Sequence, residues 1–478
     1  MSESIGEMIL PGTYIDVRAE GLIGVGGIST GNIGVVGTAN RGKVDEVVIL
    51  GSYSEALDTF GQYDKWQVPA GATPPPPPLS LTRTLEQVFK GGGSTVYAVR
   101  IANGIPVARV MTVRDGANPP VDLFTLTAKS PGTWANSIKL PPPSGAATTP
   151  LKLELEYAGN KEVFEGATAE TLRDAIVSTG SQWVTVSDLI TPSTGTNKDK
   201  VPTTIVETTP GSNDGAAATT TELAVGLAKL ATQPVNIVVA GGFAVGSTSS
   251  TNDPTSSMLA HLEATENDGL ERIAVLGVSA DGTVANPIDN KRVILVAPGI
   301  KATDAASRRQ VDLPGPYAAA LVAGRLATLA PHISLTNKDL AADGLTTDYT
   351  RAEQKNLLQN RVMVLHKNFG TRVLKGISTD SGAFKQVSVR RTVDFAKAGV
   401  RQGSNPYIGK LNNARVRAAL KATLDGFLAG MVVDEMLTEY TLEVSATRAQ
   451  EINGIALVTM TLKPTFSIDF VKVIMNLE

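Results

Sequence analysis

The sequence predicts an α/β (α+β) multidomain protein, with a mixed-sheet core carrying helices and a β-rich inserted domain. Three observations carry this. The chain has 478 residues, more than one hydrophobic core usually serves, so more than one globular unit is expected. Between Thr219 and Ala297 helical and strand-like runs alternate, the pattern of an α/β core. From about residue 115 to 220 the texture changes to Thr, Gly, Pro and Ala with short strand-like runs such as Leu151–Tyr157, as an insertion would show.

Asn32–Thr38 and Val44–Leu50 read as strands, the second too rich in Val and Ile for a surface helix. Ser52-x-x-Glu55 has the capping-box form, in which each side chain satisfies the other residue's free amide, and Gly61 stands where the C-cap of that short helix belongs. A second helix runs from Thr82 to Lys90, stopped by Gly91-Gly92-Gly93, and Thr95–Ile101 returns as a strand. The Pro74–Pro78 run between these helices reads as an exposed polyproline connector. After the insertion, Thr219-x-x-Glu222 opens a helix to Thr232. Strand Val235–Ala240, helix Thr255–Asn267 and strands Arg272–Val278 and Arg292–Ala297 follow. The helix Pro316–Leu329 carries Ala318, Ala319, Ala320, Ala323 and Gly324, small enough for close packing on the sheet. Thr350-x-x-Glu353 is a further capping box. Beyond it come strands Val362–Lys367 and Thr371–Ile377, a basic helix near Asn413–Met431, and strands Thr438–Ala446, Ile455–Lys463 and Phe466–Leu477. The expected division is therefore 1–30 as an arm, 31–114 with 221–350 as the core, 115–220 as an inserted surface domain, and 351–478 as the C-terminal domain.

Composition narrows the chemistry. With 42% hydrophobic and 19% charged residues, and no run near the roughly twenty apolar residues of a membrane span, membrane insertion is not expected. Residues 1–20 carry Glu3, Glu7 and Pro11 and lack a basic start followed by an apolar run, which argues against a secretory signal. The absence of cysteine and the presence of three separated histidines exclude disulfides and thiolate sites and leave little for a metal centre. The net charge of −3 hides an asymmetry: residues 351–421 hold 15 Lys/Arg against 3 Asp/Glu, a net of +12, while 422–478 hold 3 against 8, a net of −5. A basic block of that size suggests a polyanion or an acidic protein surface as partner, or a solvated face matched by acidic segments nearby.

Three motifs suggest catalysis but lack its context. Gly37-Thr38-Ala39-Asn40-Arg41-Gly42-Lys43-Val44 nearly matches a P-loop and follows a strand. However, Val44 replaces the hydroxyl that binds magnesium, and a strand rather than a helix N-terminus follows. Gly27-Ile28-Ser29-Thr30-Gly31 has the G-x-S-x-G form, yet Ser29 precedes its strand instead of following one. His261, His332 and His366 fall in separate elements. Gly24-Val25-Gly26-Gly27-Ile28-Ser29 lacks the last glycine of the dinucleotide fingerprint. No cofactor, metal or catalytic residue is expected, and the reading is not that of an enzyme.

Seven stretches, in order, resemble the contractile tail sheath family of phage tails, tailocins and contractile injection systems. Pro11-Gly12-Thr13-Tyr14-Ile15 resembles its N-terminal PGVY motif. Ile33-Gly34-Val35-Val36-Gly37-Thr38-Ala39-Asn40-Arg41-Gly42 is similar to its GIVGTA-x-RG signature, with Ser52-Tyr53-Ser54-Glu55 and Phe60-Gly61 behind it. Val88-Phe89-Lys90-Gly91-Gly92-Gly93 with Val96-Tyr97-Ala98-Val99-Arg100 resembles its FF-x-x-GG segment, and Ser130-Pro131-Gly132-Thr133-Trp134-Ala135-Asn136 its SPG-x-WGN motif. Val389-Arg390-Arg391-Thr392 is similar to its NVRR segment, and Lys463-Pro464 before Phe466–Val473 to its closing strand. Residues 140–300 match weakly. Departures are Val387-Ser388 before the arginines, Ser404-Asn405-Pro406 for an EPN stretch, and Ser467 for a second proline.

The resemblance implies a structural subunit of a virion tail or contractile particle, assembled in the bacterial host cytoplasm. It implies a metastable extended helical cylinder around an inner tube that contracts to drive the tube through a cell envelope. The partners implied are further copies of the chain, the inner tail tube protein, and baseplate and tail terminator proteins, with no direct nucleic acid. N- and C-terminal strands would be exchanged between subunits through Pro11, Gly12, Tyr14, Ile15 and Val17 at one end and Phe466, Ile468, Phe470, Val471 and Val473 at the other. Lys410, Arg415, Arg417 and Lys421 would face the tube. The alternative is a nucleic-acid-binding structural protein using residues 351–421; with 5% aromatic residues, base-stacking side chains are scarce for that role.

Overall fold

The computed structural model describes residues 27–66, 79–144, 150–191, 196–247, 250–279 and 286–476. Two compact units divide the chain: a larger one of residues 31–329 and 335–385, and a smaller one of 330–334, 386–478 and the N-terminal residues through Thr30.

The larger unit begins with Ile33–Gly37 (β1), Val47–Leu50 (β2), Tyr53–Phe60 (α1), Leu81–Lys90 (α2) and Val96–Arg100 (β3). An inserted part holds Val110–Asp115 (β4), Asp122–Ala128 (β5), Leu151–Tyr157 (β6), Asn160–Gly166 (β7), Ala169–Thr179 (α3), Val184–Val186 (β8) and Pro202–Thr209 (β9). The chain returns through Thr220–Leu230 (α4), Ile237–Val245 (β10), Thr255–Asn267 (α5), Ile273–Val278 (β11) and Val293–Ala297 (β12). Then come Ile300–Asp304 (β13), Arg309–Leu313 (β14), Gly315–Ala327 (α6), Asp339–Leu340 (β15), Gly344–Leu345 (β16), Arg351–Gln359 (α7), Met363–Lys367 (β17) and Thr371–Val373 (β18).

One nine-stranded sheet, in the order β15-β18-β17-β12-β11-β10-β1-β3-β2, organises the unit. Its six central strands, β17 to β3, are parallel, and antiparallel strands close both ends. Helices cover parallel strands on both faces, so such strands read as unbroken apolar runs; every residue of β1, β11 and β12 is buried. The capping boxes at Thr219/Glu222 and Thr350/Glu353 form as the spacing predicts. At α1 only half of the box forms. Ser52 accepts from the Glu55 amide, but the Glu55 carboxylate takes the Gly51 amide, one residue early. The small side of α6 has a concrete purpose: a Cβ on Gly324 would collide with the Val88 carbonyl of α2, and one on Gly277 with the backbone of Gly315.

Two boundaries are corrected. Strand β4 pairs with both β5 and β9 in a separate antiparallel sheet, β8-β5-β4-β9, and Val107 bridges Ser212. The insertion therefore runs from about 107 to 212 instead of 115 to 220. It is also more than turns, because Phe124, Trp134, Leu153, Phe164, Leu172 and Trp183 build a core of its own. At the other end β17 and β18 belong to the nine-stranded sheet, so the division expected at 351 falls at 386.

The smaller unit contains Val387–Ser404 (α8), Ala414–Val433 (α9), Leu437–Ser445 (β19), Arg448–Ile452 (α10) and Leu457–Pro464 (β20). Helix α8 is absent from the sequence reading. Val387 and Val389 are buried where it starts, but the stripe that runs its length is Ser388, Thr392, Ala396, Gly399 and Gly403, helical in spacing but too small and polar to register as hydrophobic periodicity. The stripe has to be small: Phe427 of α9 lies over Gly399, where any Cβ would collide with its ring. Strands β19 and β20 form an antiparallel hairpin whose Leu442, Val444 and Val458 pack with Tyr407, Leu420 and Leu424. The strand expected at Phe466–Leu477 is a correction. Residues 465–476 are assigned to no β-ladder among the described residues, because a strand needs a hydrogen-bonded neighbour and none of the described strands takes that place.

Candidate functional site

The smaller unit leaves backbone and apolar surface unfinished. A two-stranded sheet is marginal in water by itself, and among the described residues neither outer edge of the β19–β20 hairpin is paired. Following it in the chain is a segment rich in large apolar side chains that are all exposed: Phe466, Ile468, Phe470, Val471, Val473, Ile474 and Met475. Phe470 is 83% exposed. Burying each such side chain is worth about 1.5–3 kcal/mol, so the segment is costly as it stands and strongly favoured once covered. Unpaired edges next to uncovered strand-formers are the condition for strand addition from another chain.

The root of this segment is held. The Thr465 amide donates to the Met436 carbonyl at 3.2 Å. Gln386, at the N-cap position of α8, accepts from the Ser467 amide at 3.3 Å and donates through Nε2 to Asp469 at 3.2 Å. Farther along α8, Arg391 donates to the carbonyls of Thr30 and Ala330 at 3.2 and 3.4 Å. Burial lowers its pKa to about 10, so it is charged near neutrality. Arg390 pairs with Asp394 at 2.6 Å.

Residues 216–379 match the sequence model described as phage tail sheath protein central domain, and 379–478 the one described as phage tail sheath C-terminal domain. The chain belongs to the phage tail sheath family. No curated protein matches it in sequence. Among solved structures, the sheath tail protein of Desulfitobacterium hafniense is similar at 18% identity and a TM-score of 0.63, covering 95% of this chain and 100% of the other. The sheath tail protein of Listeria innocua gives 16%, 0.66, 94% and 95% in the same order. The sheath of an extracellular contractile injection system (PVC) in its contracted state gives 13%, 0.56, 98% and 97%. These likenesses establish a shared fold across nearly the whole chain.

For a sheath chain, the residues singled out from sequence fall into three groups. Pro11, Gly12, Tyr14, Ile15 and Val17 lie outside the described residues. Phe466, Ile468, Phe470, Val471 and Val473 are brought together on the exposed closing segment. Of the four basic residues, Arg415 and Lys421 are exposed on α9, and Lys410, in the loop before it, lies 4.8 Å from the Tyr407 ring. Arg417 differs, being half-buried and committed to its own subunit: it pairs with Glu451 of α10 at 3.0 Å and with Asn412 at 2.8 Å. The +12 block is likewise dispersed. Lys367 pairs with Asp348, Arg372 donates to backbone carbonyls, and Arg390 and Arg391 are buried.

The P-loop-like turn is a fastening between core and insertion. Val44 bridges Arg100 and β2 follows, so no helix starts there. The buried Arg100 guanidinium donates to the Gly42 and Pro131 carbonyls at 2.6 and 2.7 Å. The Gly42 amide donates to Ser130 Oγ, and Arg41 lies 4.9 Å from the Trp134 ring. Gly132, at φ 130°, stands where a Cβ would collide with the Asn40 carbonyl. The two glycine-containing motifs thus meet each other. His261 is buried against Arg272 at 3.1 Å; burial and then that charge lower its pKa to about 4. Nothing in the sequence marked Gln386, Asp469, Glu451 or Arg100 as contacts. One usable signal existed: Ser467 and Asp469 make one face of an otherwise apolar segment polar.

Proposed function

We propose that this chain is a self-assembling subunit of a contractile tail sheath, polymerising as an extended, metastable helical cylinder around an inner tube and contracting to drive that tube through a cell envelope. The observation that carries the reading is the exposed apolar segment that follows an unpaired hairpin, in a domain that matches the sheath C-terminal domain. Each subunit adds its closing strand, and the strand-forming stretch around Tyr14, Ile15 and Val17, to the sheets of neighbours. These strands are tethers that keep subunits linked while they rotate outward and exchange a smaller interface for a larger one. Free energy is stored in subunit contacts, and a two-state lattice releases it without nucleotide hydrolysis or a cofactor.

The further partners follow from the same role: a baseplate that switches the first ring, a terminator at the far end, and a tube whose acidic surface meets Lys410, Arg415 and Lys421. The particle is a phage tail or tailocin-like assembly built in the bacterial cytoplasm. Similar folds occur in a contracted injection-system sheath and in the baseplate and helical sheath of the anti-feeding prophage.

Electron microscopy of the expressed chain with and without its tube tests the proposal. Long cylinders of stacked rings, wide when formed alone and narrow around the tube, are expected. Monomers or amorphous aggregate under both conditions would contradict it. Reversing Lys410, Arg415 and Lys421 to Glu should weaken capture of the tube at physiological salt and leave sheath–sheath contacts formed.

A further inference from the structure

Helix α8 holds the chain at two of the places where a segment of the smaller unit begins or ends, the closing segment and Thr30. Gln386 at its start accepts from the Ser467 amide and donates to Asp469, while Arg391 donates to the carbonyl of Thr30, the last residue before the chain passes into the larger unit. Gln386 is an unusual choice at an N-cap, where Ser, Thr, Asp or Asn would accept from the helix's own amides. Its side chain makes no such cap bond. It is spent on the closing segment instead, and the Asp469 carboxylate it holds lies at the positive end of an 18-residue helix.

The closing segment changes character just past this clasp. In an extended chain successive side chains point to opposite faces. Up to Phe470 one face is apolar, with Phe466, Ile468 and Phe470, and the other is polar, with Ser467 and Asp469, the two residues that meet Gln386. From Val471 the alternation turns over: the side that carried Ser467 and Asp469 becomes apolar, with Val471, Val473 and Met475, and the other carries Lys472, Ile474 and Asn476. A segment with one polar face bound at home can stay at home. A segment whose corresponding side has turned apolar, with Val471, Val473 and Met475 all exposed, needs cover that its own subunit does not give it.

We propose that α8 is the shared anchor of the terminal arms, with Gln386 and Arg391 as positioning residues, and that the closing segment has two parts: residues 465–469 stay clasped to their own subunit and residues 471–476 are handed to a second copy of the chain. This rests on the strand-exchange reading above. The clasp sets where the exchanged strand departs and in which direction. Losing it adds about five residues of slack between β20 and that strand, and effective concentration falls roughly as the −3/2 power of tether length, a loss on the order of tenfold. Because Arg391 holds the root of the other arm on the same helix, a pull on one arm is delivered to the other through α8.

The natural chain has no cysteine, so an engineered pair reports without background. Gln386→Cys with Ser467→Cys, bridged by a short bis-maleimide after assembly, should give links within single chains, and cylinders should form from pre-linked subunits. Links between chains would overturn the clasp. Gln386→Ala with Asp469→Ala should lower the polymerised fraction about tenfold at fixed concentration while the subunit's circular dichroism and melting stay unchanged; undiminished polymerisation would also overturn it. Arg391→Lys keeps the charge but not the fork that reaches two carbonyls, and should slow contraction of cylinders that still assemble; contraction at the unaltered rate removes Arg391 from the anchor. A chain ending at Phe470 separates the two layers of argument. If it assembles normally, strand exchange through this segment is wrong whatever the crosslinks show.

Discussion

The two units solve the problem of sheet edges in opposite ways. In the larger one, six parallel strands are flanked by antiparallel ones, and the insertion carries an independent core. In the smaller one a two-strand hairpin keeps both edges open among the described residues, and its most apolar stretch faces solvent. An exposed apolar edge is ordinarily an aggregation hazard. The larger unit exposes only scattered apolar residues on its edges, such as Ile49 and Val206, whereas a continuous exposed run is what a unit completed by assembly would carry; on the proposed function, stability and polymerisation are then separable properties of one chain.

That separation can be broken by substitution. Leu295→Ala, in the centre of β12 and fully buried, should cost the subunit about 2–5 kcal/mol, read by denaturant melting. Val473→Ala, on an exposed position, should leave subunit stability within about 0.5 kcal/mol and instead raise the concentration needed to form cylinders. Equal effects on melting would erase the contrast between the units.

Arg100→Met should come next. It leaves the Gly42 and Pro131 carbonyls without their buried donor, at about 1–3 kcal/mol, and limited proteolysis should show new cleavage near residues 38–44 and 129–134. Acid sharpens the picture further. His261 in the folded chain has its pKa lowered to about 4, so between that value and its unfolded value near 6.5 the unfolded state binds more protons. Stability is therefore complete above about pH 6.5 and falls as pH drops toward 4, by up to about 3 kcal/mol. His261→Gln should flatten that part of the pH–stability curve. The smallest effect distinguishes neighbours on one helix: Arg417→Glu should lose about 1 kcal/mol by breaking its contact with Glu451, whereas Lys421→Glu should leave melting unchanged and affect only tube capture.

Much of the larger unit was legible because its signals are local. The run Ile33-Gly34-Val35-Val36 is a buried parallel strand, Thr219/Glu222 is a cap, and the alanines of Pro316–Leu329 announce close packing. Helix α8 was illegible because its buried stripe is Gly, Ala, Ser and Thr, chosen to admit Phe427, and small residues carry no hydrophobic period. The insertion's start was misplaced for a different reason: β4 looks like any strand, and only its partners β5 and β9 assign it to a second sheet. The closing segment was recognised as a strand-former, which it is in composition, but a strand exists only with a neighbour. Arg417 shows the limit for charges, since sequence marks a cation yet not the Glu451 that occupies it.

The central claim is that residues 471–476 are unpaired in the subunit and paired in the polymer. Hydrogen exchange by mass spectrometry on peptides spanning 465–478 tests it directly, comparing isolated subunits with cylinders in the same buffer. The amides of 471–476 should exchange in the subunit at the rate of an unstructured peptide and slow by several orders of magnitude in the cylinder, while amides of β11 and β12 are slow in both. Protection already present in the subunit, or none gained in the cylinder, would contradict the account.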